Sequence, residues 1–161
     1  MSERADGRDP VQIAGLLSYR LSRASAAMSR SAALHYKREF DVSLGEWRAL
    51  ALIAADPTLT LNRLARRAGL DKAQMSRVVS RLTERGLVNR TAASGRRSQL
   101  ALTEAGTRVY RGLITAANER DAAFLGALTA EEAAALHQAL AKLTDVALTM
   151  EERERARSTE A

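Results

Sequence analysis

The stretch from Thr60 to Gly86, "TLNRLARRAGLDKAQMSRVVSRLTERG", holds two helix starts and two helix stops. Thr60 is placed to cap a helix over 61–68, which Gly69 ends; Asp71 is placed to cap another over 72–85, which Gly86 ends. Gly69 and Leu70 leave only a tight turn between them. Two short helices joined by a glycine-containing turn are the helix-turn-helix signature. The second helix is apolar at Met75, Val78, Val79 and Leu82 and carries Lys72, Gln74, Ser76, Arg77, Arg81 and Arg85 in between. One face is suited to packing, and the other must meet something polar.

The charge indicates what that something is. Residues 62–97 contain ten Lys/Arg against two acids, Asp71 and Glu84, a net +8, whereas the whole chain carries only +6. All of the positive balance therefore sits in one segment. A merely soluble surface mixes its signs; this one does not, which points to a polyanionic partner, with nucleic acid first. After the basic helix, Leu87 to Ala92 and Gln99 to Leu102 can pair as short strands around Ser94-Gly95, with Arg96 and Arg97 at the tip. That is a β-hairpin wing.

The flanks read as helices. Ile13, Leu16, Leu17, Leu21, Ala24, Met28, Ala32 and Tyr36 recur at helical steps, predicting one long helix from Val11 to about Phe40. Ser43 and Glu46 form a capping-box pattern for the next helix, which stops near Asp56–Pro57. Thr103 caps a helix from Glu104 to about Leu125, and Thr129 with Glu132 opens a last one striped by Leu136, Leu140, Leu143, Val146, Ala147 and Met150. The first and last helices carry more apolar stripe than one small lobe can cover, so part of each is expected to pack on a second chain.

Other classes are excluded by what is missing. The chain has no Cys, so thiol chemistry, disulfides and Cys-based metal sites are out. His35 and His137 are the only histidines, no metal-spaced cluster exists, and no phosphate-cradling glycine loop is present. Catalysis is not expected, and no cofactor is implied. No apolar run is long enough for a membrane helix and the first ten residues lack a signal-peptide core, so a cytoplasmic protein is expected.

The polar face fits the major groove of double-stranded DNA, where each base pair shows its own donor and acceptor pattern. Gln74 can pair with adenine, Arg77 can fork onto guanine, and Ser76 can serve a base edge or a phosphate. Lys72 and Arg81 lie nearby, and Arg63, Arg66 and Arg67 suit the backbone. Arg96 and Arg97 on a hairpin tip suit the minor groove.

The segments "LGEWRALALIAADPTLTLNRLARRAGLDKAQMSRVVSRLTERGLVNR", "GRRSQLALTEAG" and "LTAEEAAALHQALAKL", in that order, resemble the MarR family of winged helix-turn-helix regulators. The resemblance covers about Val11 to Met150. It implies a mainly α fold with a short β-hairpin wing, in which N- and C-terminal helices intertwine into a dimerisation domain. Residues 1–10 then form a flexible tail, 11–42 and 104–150 the dimerisation helices, 43–103 the DNA-binding domain, and 151–161 a charged tail expected to fray. The resemblance further implies a homodimeric repressor that binds a palindromic operator and is released by a small aromatic carboxylate or phenolic effector. Its major-groove contacts fall on Gln74, Ser76 and Arg77, with Lys72 and Arg81 nearby, and its minor-groove contact on Arg97, with Arg96 adjacent. The family's usual Asp before that arginine pair is here Gly95, which predicts weaker ordering of the wing arginines.

The family's effector pocket lies where the first helix meets the next. Arg20, Arg23, Tyr36, Trp47 and Arg48 are the candidates, with Tyr19 and His35 further off. A guanidinium and an indole around one cavity would suit a planar aromatic acid. Trp47 is equally readable as a core residue, and Tyr36 as a surface or dimer contact. The alternative to the whole reading is a winged helix that binds DNA without a ligand or serves only protein interaction.

Overall fold

The computed structural model describes residues 13–92 and 98–160. Among them are six α-helices and one two-stranded sheet: α1 (Leu17–Phe40), α2 (Leu44–Ala55), α3 (Leu61–Ala68), α4 (Lys72–Glu84), β1 (Val88–Ala92), β2 (Ser98–Leu102), α5 (Glu104–Leu125) and α6 (Ala130–Glu160). This is the expected mainly helical winged helix-turn-helix. Contacts group the chain into two units divided between Ile114 and Thr115.

In the first unit the boundaries follow local chemistry. Ser43 and Glu46 cap α2 reciprocally, the Ser43 N–H donating to Glu46 Oε2 (2.8 Å) and the Glu46 N–H to Ser43 Oγ (3.2 Å). Thr60 Oγ accepts from the Arg63 N–H at the start of α3. Gly69 closes α3 at φ 69°, and Gly86 follows α4 at φ 68°; both lie in the left-handed region that favours glycine. α1 starts later than the periodicity predicts. A 3-10 turn over Ile13–Gly15 precedes it, and its cap position, Leu16, has no side chain to receive an N–H. A glycine in the first turn and no polar cap together delay the helix; Val11 lies outside the described residues.

The core of this unit is made by α2, α3 and α4 with the base of the wing. Leu50, Leu64, Met75, Val79, Leu82, Val88 and Leu113 are fully buried. β1 and β2 run antiparallel, with Val88 opposite Leu102 and Arg90 opposite Leu100.

The chain around Gly86 and the start of α5 form the two halves of one joint. Thr103 donates its hydroxyl to Gly86 O (2.6 Å) and accepts from the Gly106 N–H (2.9 Å), while its own N–H donates to Leu87 O (3.0 Å). "RGLV" and "LTEAG" thus interlock. Gly106 is required there: a Cβ would sit 1.9 Å from Leu87 O.

The second unit holds the end of α5, a turn through Gly126, and α6. Thr129 and Glu132 cap α6 as expected, Thr129 N–H to Glu132 Oε2 and Glu132 N–H to Thr129 Oγ. The fraying expected of 151–161 is not found as far as Glu160. Glu151 pairs with Arg155 and Glu154 with Arg157 along the helix, and Ser158 and Thr159 bond back to carbonyls one turn earlier. Such spaced pairs support a helix that buries nothing.

Candidate nucleic-acid interface

α4 separates its two faces cleanly. Met75, Val79 and Leu82 are buried, and Val78 is half-buried. Gly45 on α2 lies beside it, where an added Cβ would be 3.4 Å from the Val78 side chain. Lys72, Gln74, Arg77, Ser80 and Arg81 are exposed. At about 100° per residue, Arg77 falls opposite the buried stripe, at the middle of the outward face. Ser76 is half-buried at the edge of that face, which leaves its hydroxyl a narrower approach than Arg77 has.

Gln74 has a role the sequence reading did not assign. Its N–H donates to Asp71 Oδ1 (2.7 Å), and its side-chain Oε1 accepts from the Asp71 N–H (3.2 Å). Gln74 is the third residue of a capping box. Bidentate pairing with adenine needs an amide oxygen as acceptor, so base reading by Gln74 competes with the cap. The signal was present: Asp71 followed three positions later by Gln74 is the same pattern as Ser43 and Glu46.

On α3, Arg63, Arg66 and Arg67 are exposed. Asp56 lies close enough to Arg67 and Arg63 to feel their charge. Its carboxyl is held below the usual range chiefly by hydrogen bonds from the Thr58 hydroxyl and N–H, with the two arginines adding to the effect. Arg90 on β1 is exposed and shares a shallow depression with Ser80, Thr83 and Glu84 on α4. Arg96, Arg97 and Gly95 lie outside the described residues.

Two cations of the basic segment and its surroundings bind groups of the protein itself. Arg48 donates to Ala68 O (3.2 Å) at the end of α3, a favourable place for a guanidinium. Arg85 donates to Asp41 O (2.9 Å) and faces Glu46 Oε1 at 3.5 Å. Both interactions join positions distant in sequence, which periodicity does not reveal.

The effector candidates do not gather in one place. Tyr36 is buried, not a surface residue as one reading expected, because its ring packs on Trp47 with centroids 5.7 Å apart. Trp47 is half-buried and stacks on Tyr110 of α5 at 6.2 Å. Tyr110 was missed by the sequence reading; nothing in its spacing on α5 marks it as Trp47's partner. Arg20 and Arg23 are exposed and flank Tyr19 in a depression of about 400 Å³. They lie roughly 20 Å or more along α1 from Tyr36 at 1.5 Å per residue. Arg48 is engaged with α3. A second groove of about 400 Å³ runs between the end of α2, β2 and α5, with Ile53, Pro57, Leu102, Thr107, Tyr110 and Arg111 on its walls. Among the described residues there is no cluster of three metal-ligating side chains, and no helix is long and apolar enough to cross a membrane.

Residues 40–98 match the model of the MarR family. Three solved structures share the fold. The PcaV transcriptional regulator from Streptomyces coelicolor, in complex with its natural ligand, is 29% identical with a TM-score of 0.70, over 86% of this chain and 99% of that one. A MarR family protein of Mycobacterium tuberculosis, in complex with salicylic acid, is 28% identical with a TM-score of 0.67, over 80% and 96%. MepR of S. aureus, in complex with DNA, has a TM-score of 0.73 at 21% identity, over 81% and 97%. No curated protein matches the sequence.

Proposed function

The chain belongs to the MarR family of winged helix-turn-helix transcriptional regulators, and on that premise we propose that it is a sequence-specific double-stranded DNA-binding repressor. It works in the cytoplasm as a homodimer on a palindromic operator and is released by a small aromatic carboxylate or phenolic acid. The observation that carries the DNA reading is the outward face of α4, centred on Arg77, within a segment of net +8. Arg77 forks onto guanine, Ser76 serves an edge or phosphate, and Gln74 reads a base when its cap opens. Lys72, Arg81 and Arg63 hold the phosphates, and Arg96 and Arg97 enter the minor groove. Residues 43–103 form the DNA-binding domain, and 11–42 with 104–150 form the dimer.

The effector reading is supported by two relatives at 28–29% identity that carry small ligands. Within this chain it centres on the Tyr36–Trp47 pair, with Arg20, Arg23 and Arg48 as the remaining candidates for the acid group. Trp47 is the sole tryptophan, so its emission reports directly on a ligand stacked beside it.

The test is a genomic DNA selection on the purified protein, repeated with a panel of aromatic carboxylates while Trp47 fluorescence is followed. One palindrome, lost on adding one compound that also quenches Trp47, is the expected result. Binding without sequence preference or ligand response would replace the regulator by a nonspecific or partner-dependent winged helix.

A further inference from the structure

Arg85 belongs by sequence to the basic segment, yet it turns away from the outward face of α4. It caps that helix, and its guanidinium reaches the corner between α1 and α2. We propose that Arg85 is a positioning residue that fixes the pose of α4 against that corner, and so sets the separation of the two recognition helices in the dimer. The inference rests on the dimeric DNA-binding reading above.

Three helix ends meet at this guanidinium. Asp41 ends α1 in the left-handed conformation, φ 53°, and presents its carbonyl to Arg85 Nη1 at 2.9 Å. Its carboxylate Oδ2 lies 3.6 Å from Nη2. Glu46, at the start of α2, is buried, and its Oε1 faces Nη1 at 3.5 Å. Glu46 cannot turn aside, because its other oxygen holds the Ser43 N–H in the capping box of α2. The guanidinium therefore has a fixed target on one side and the end of α4 on the other.

The inward side chains of α4 act differently. Met75, Val79 and Leu82 are apolar, and apolar burial holds a helix down without fixing its direction. A planar guanidinium spread over a carbonyl and two carboxylates is directional. Its side chain is about one-third exposed, so water screens the attraction and its weight in overall stability is small. Its effect falls on geometry. α1 also carries Leu17, Leu21, Met28 and Leu34 exposed, the residues expected to meet a second copy. A link from the end of α1 to the end of α4 ties the recognition helix to the dimer.

The experiment is a selection from a random DNA library with full-length protein, scored for the half-site motif and, separately, for the spacing between half-sites. Arg85→Gln removes the fork. Glu46→Gln removes the charge but keeps an oxygen for the Ser43 N–H. Thr60→Ala, which strips the cap of α3, serves as a control for stability alone, and thermal melts confirm that each variant folds. The expected result is an unchanged half-site motif, with enrichment of the preferred spacing over its neighbours falling about tenfold in Arg85→Gln and Glu46→Gln, an effect within the range of coupling free energies. Arg85→Lys, a single ammonium that cannot fork, should fall between, and Thr60→Ala should keep the wild-type spacing. Unchanged spacing in both charge variants, or an equal loss in Thr60→Ala, overturns the positioning role while leaving the dimeric reading intact. A wild type that enriches no paired half-sites overturns both.

Discussion

The middle of this chain and its two flanks use apolar residues in opposite ways. The buried core residues fall between Tyr36 and Ala116, whereas the exposed large apolar residues fall either between Ile13 and Leu34 or between Phe124 and Met150. The winged helix satisfies itself: three short helices and a hairpin enclose Leu50, Leu64, Met75 and Leu82. The flanking helices do not. Leu136, Leu140, Val146, Leu148 and Met150 along α6 face water in a single chain, a face that soluble monomers seldom leave open. One part therefore carries its stability within the chain, whereas the other leaves apolar surface open for the dimer proposed above.

The largest expected effect lies in the middle. Leu82→Ala deletes a fully buried side chain and should cost about 2–5 kcal/mol, read as a fall in the denaturation midpoint at every protein concentration. Gly106→Ala forces a methyl onto Leu87 O and should cost about 1–3 kcal/mol; a melt like that of the wild type would break the account of the joint between wing and α5. Arg77→Ala leaves the core alone. It should weaken operator binding by about 1–3 kcal/mol and relax the preference at one base pair. Unaltered preference in a selection assay would move Arg77 from the bases to the phosphates. On the flank, Leu140→Ala should lower the melting temperature mainly in dilute protein, because its stabilisation depends on mass action. Melting independent of concentration in both forms would dissolve the contrast between middle and flank.

The smallest effect is a matter of pH. Asp41 is held below its usual value of 3.8, first by a hydrogen bond from Lys37, then by that residue's charge, with Arg85 contributing less. A lowered carboxyl stabilises the fold above its unfolded value and loses that contribution as pH falls through the folded one. Asp41→Asn, which still tolerates the left-handed backbone, should therefore melt slightly below wild type at neutral pH and converge with it under acid conditions. A constant gap down to pH 3 would assign the residue a role other than its charge.

Periodicity and caps made most of the secondary structure legible. Ser43, Thr60, Asp71, Thr103 and Thr129 each start a helix where they stand, and Gly69 and Gly86 mark two stops, because capping is a contact within four residues. α1 and the end of α6 departed from expectation for two local reasons, a missing cap at Leu16 and supporting charge pairs from Glu151 onward. The outward face of α4 was legible too, since one side of a helix follows from spacing. Less so was Gln74, whose capping role the pattern allowed but the basic face obscured.

Spacing and composition were enough for most of what lies within a helical turn or two: the helices, the turn, the strands, the basic segment and the apolar stripes. Packing selected which long-range partners meet. It brought Arg85 to Asp41 and Glu46, Arg48 to Ala68, Trp47 to Tyr110, and Gly106 to Leu87. It also kept Arg20 and Arg23 apart from Trp47. Local order is set by backbone hydrogen bonds and neighbouring side chains. A guanidinium or an aromatic ring finds its partner only when separate helices have packed, and no spacing along the chain encodes that meeting.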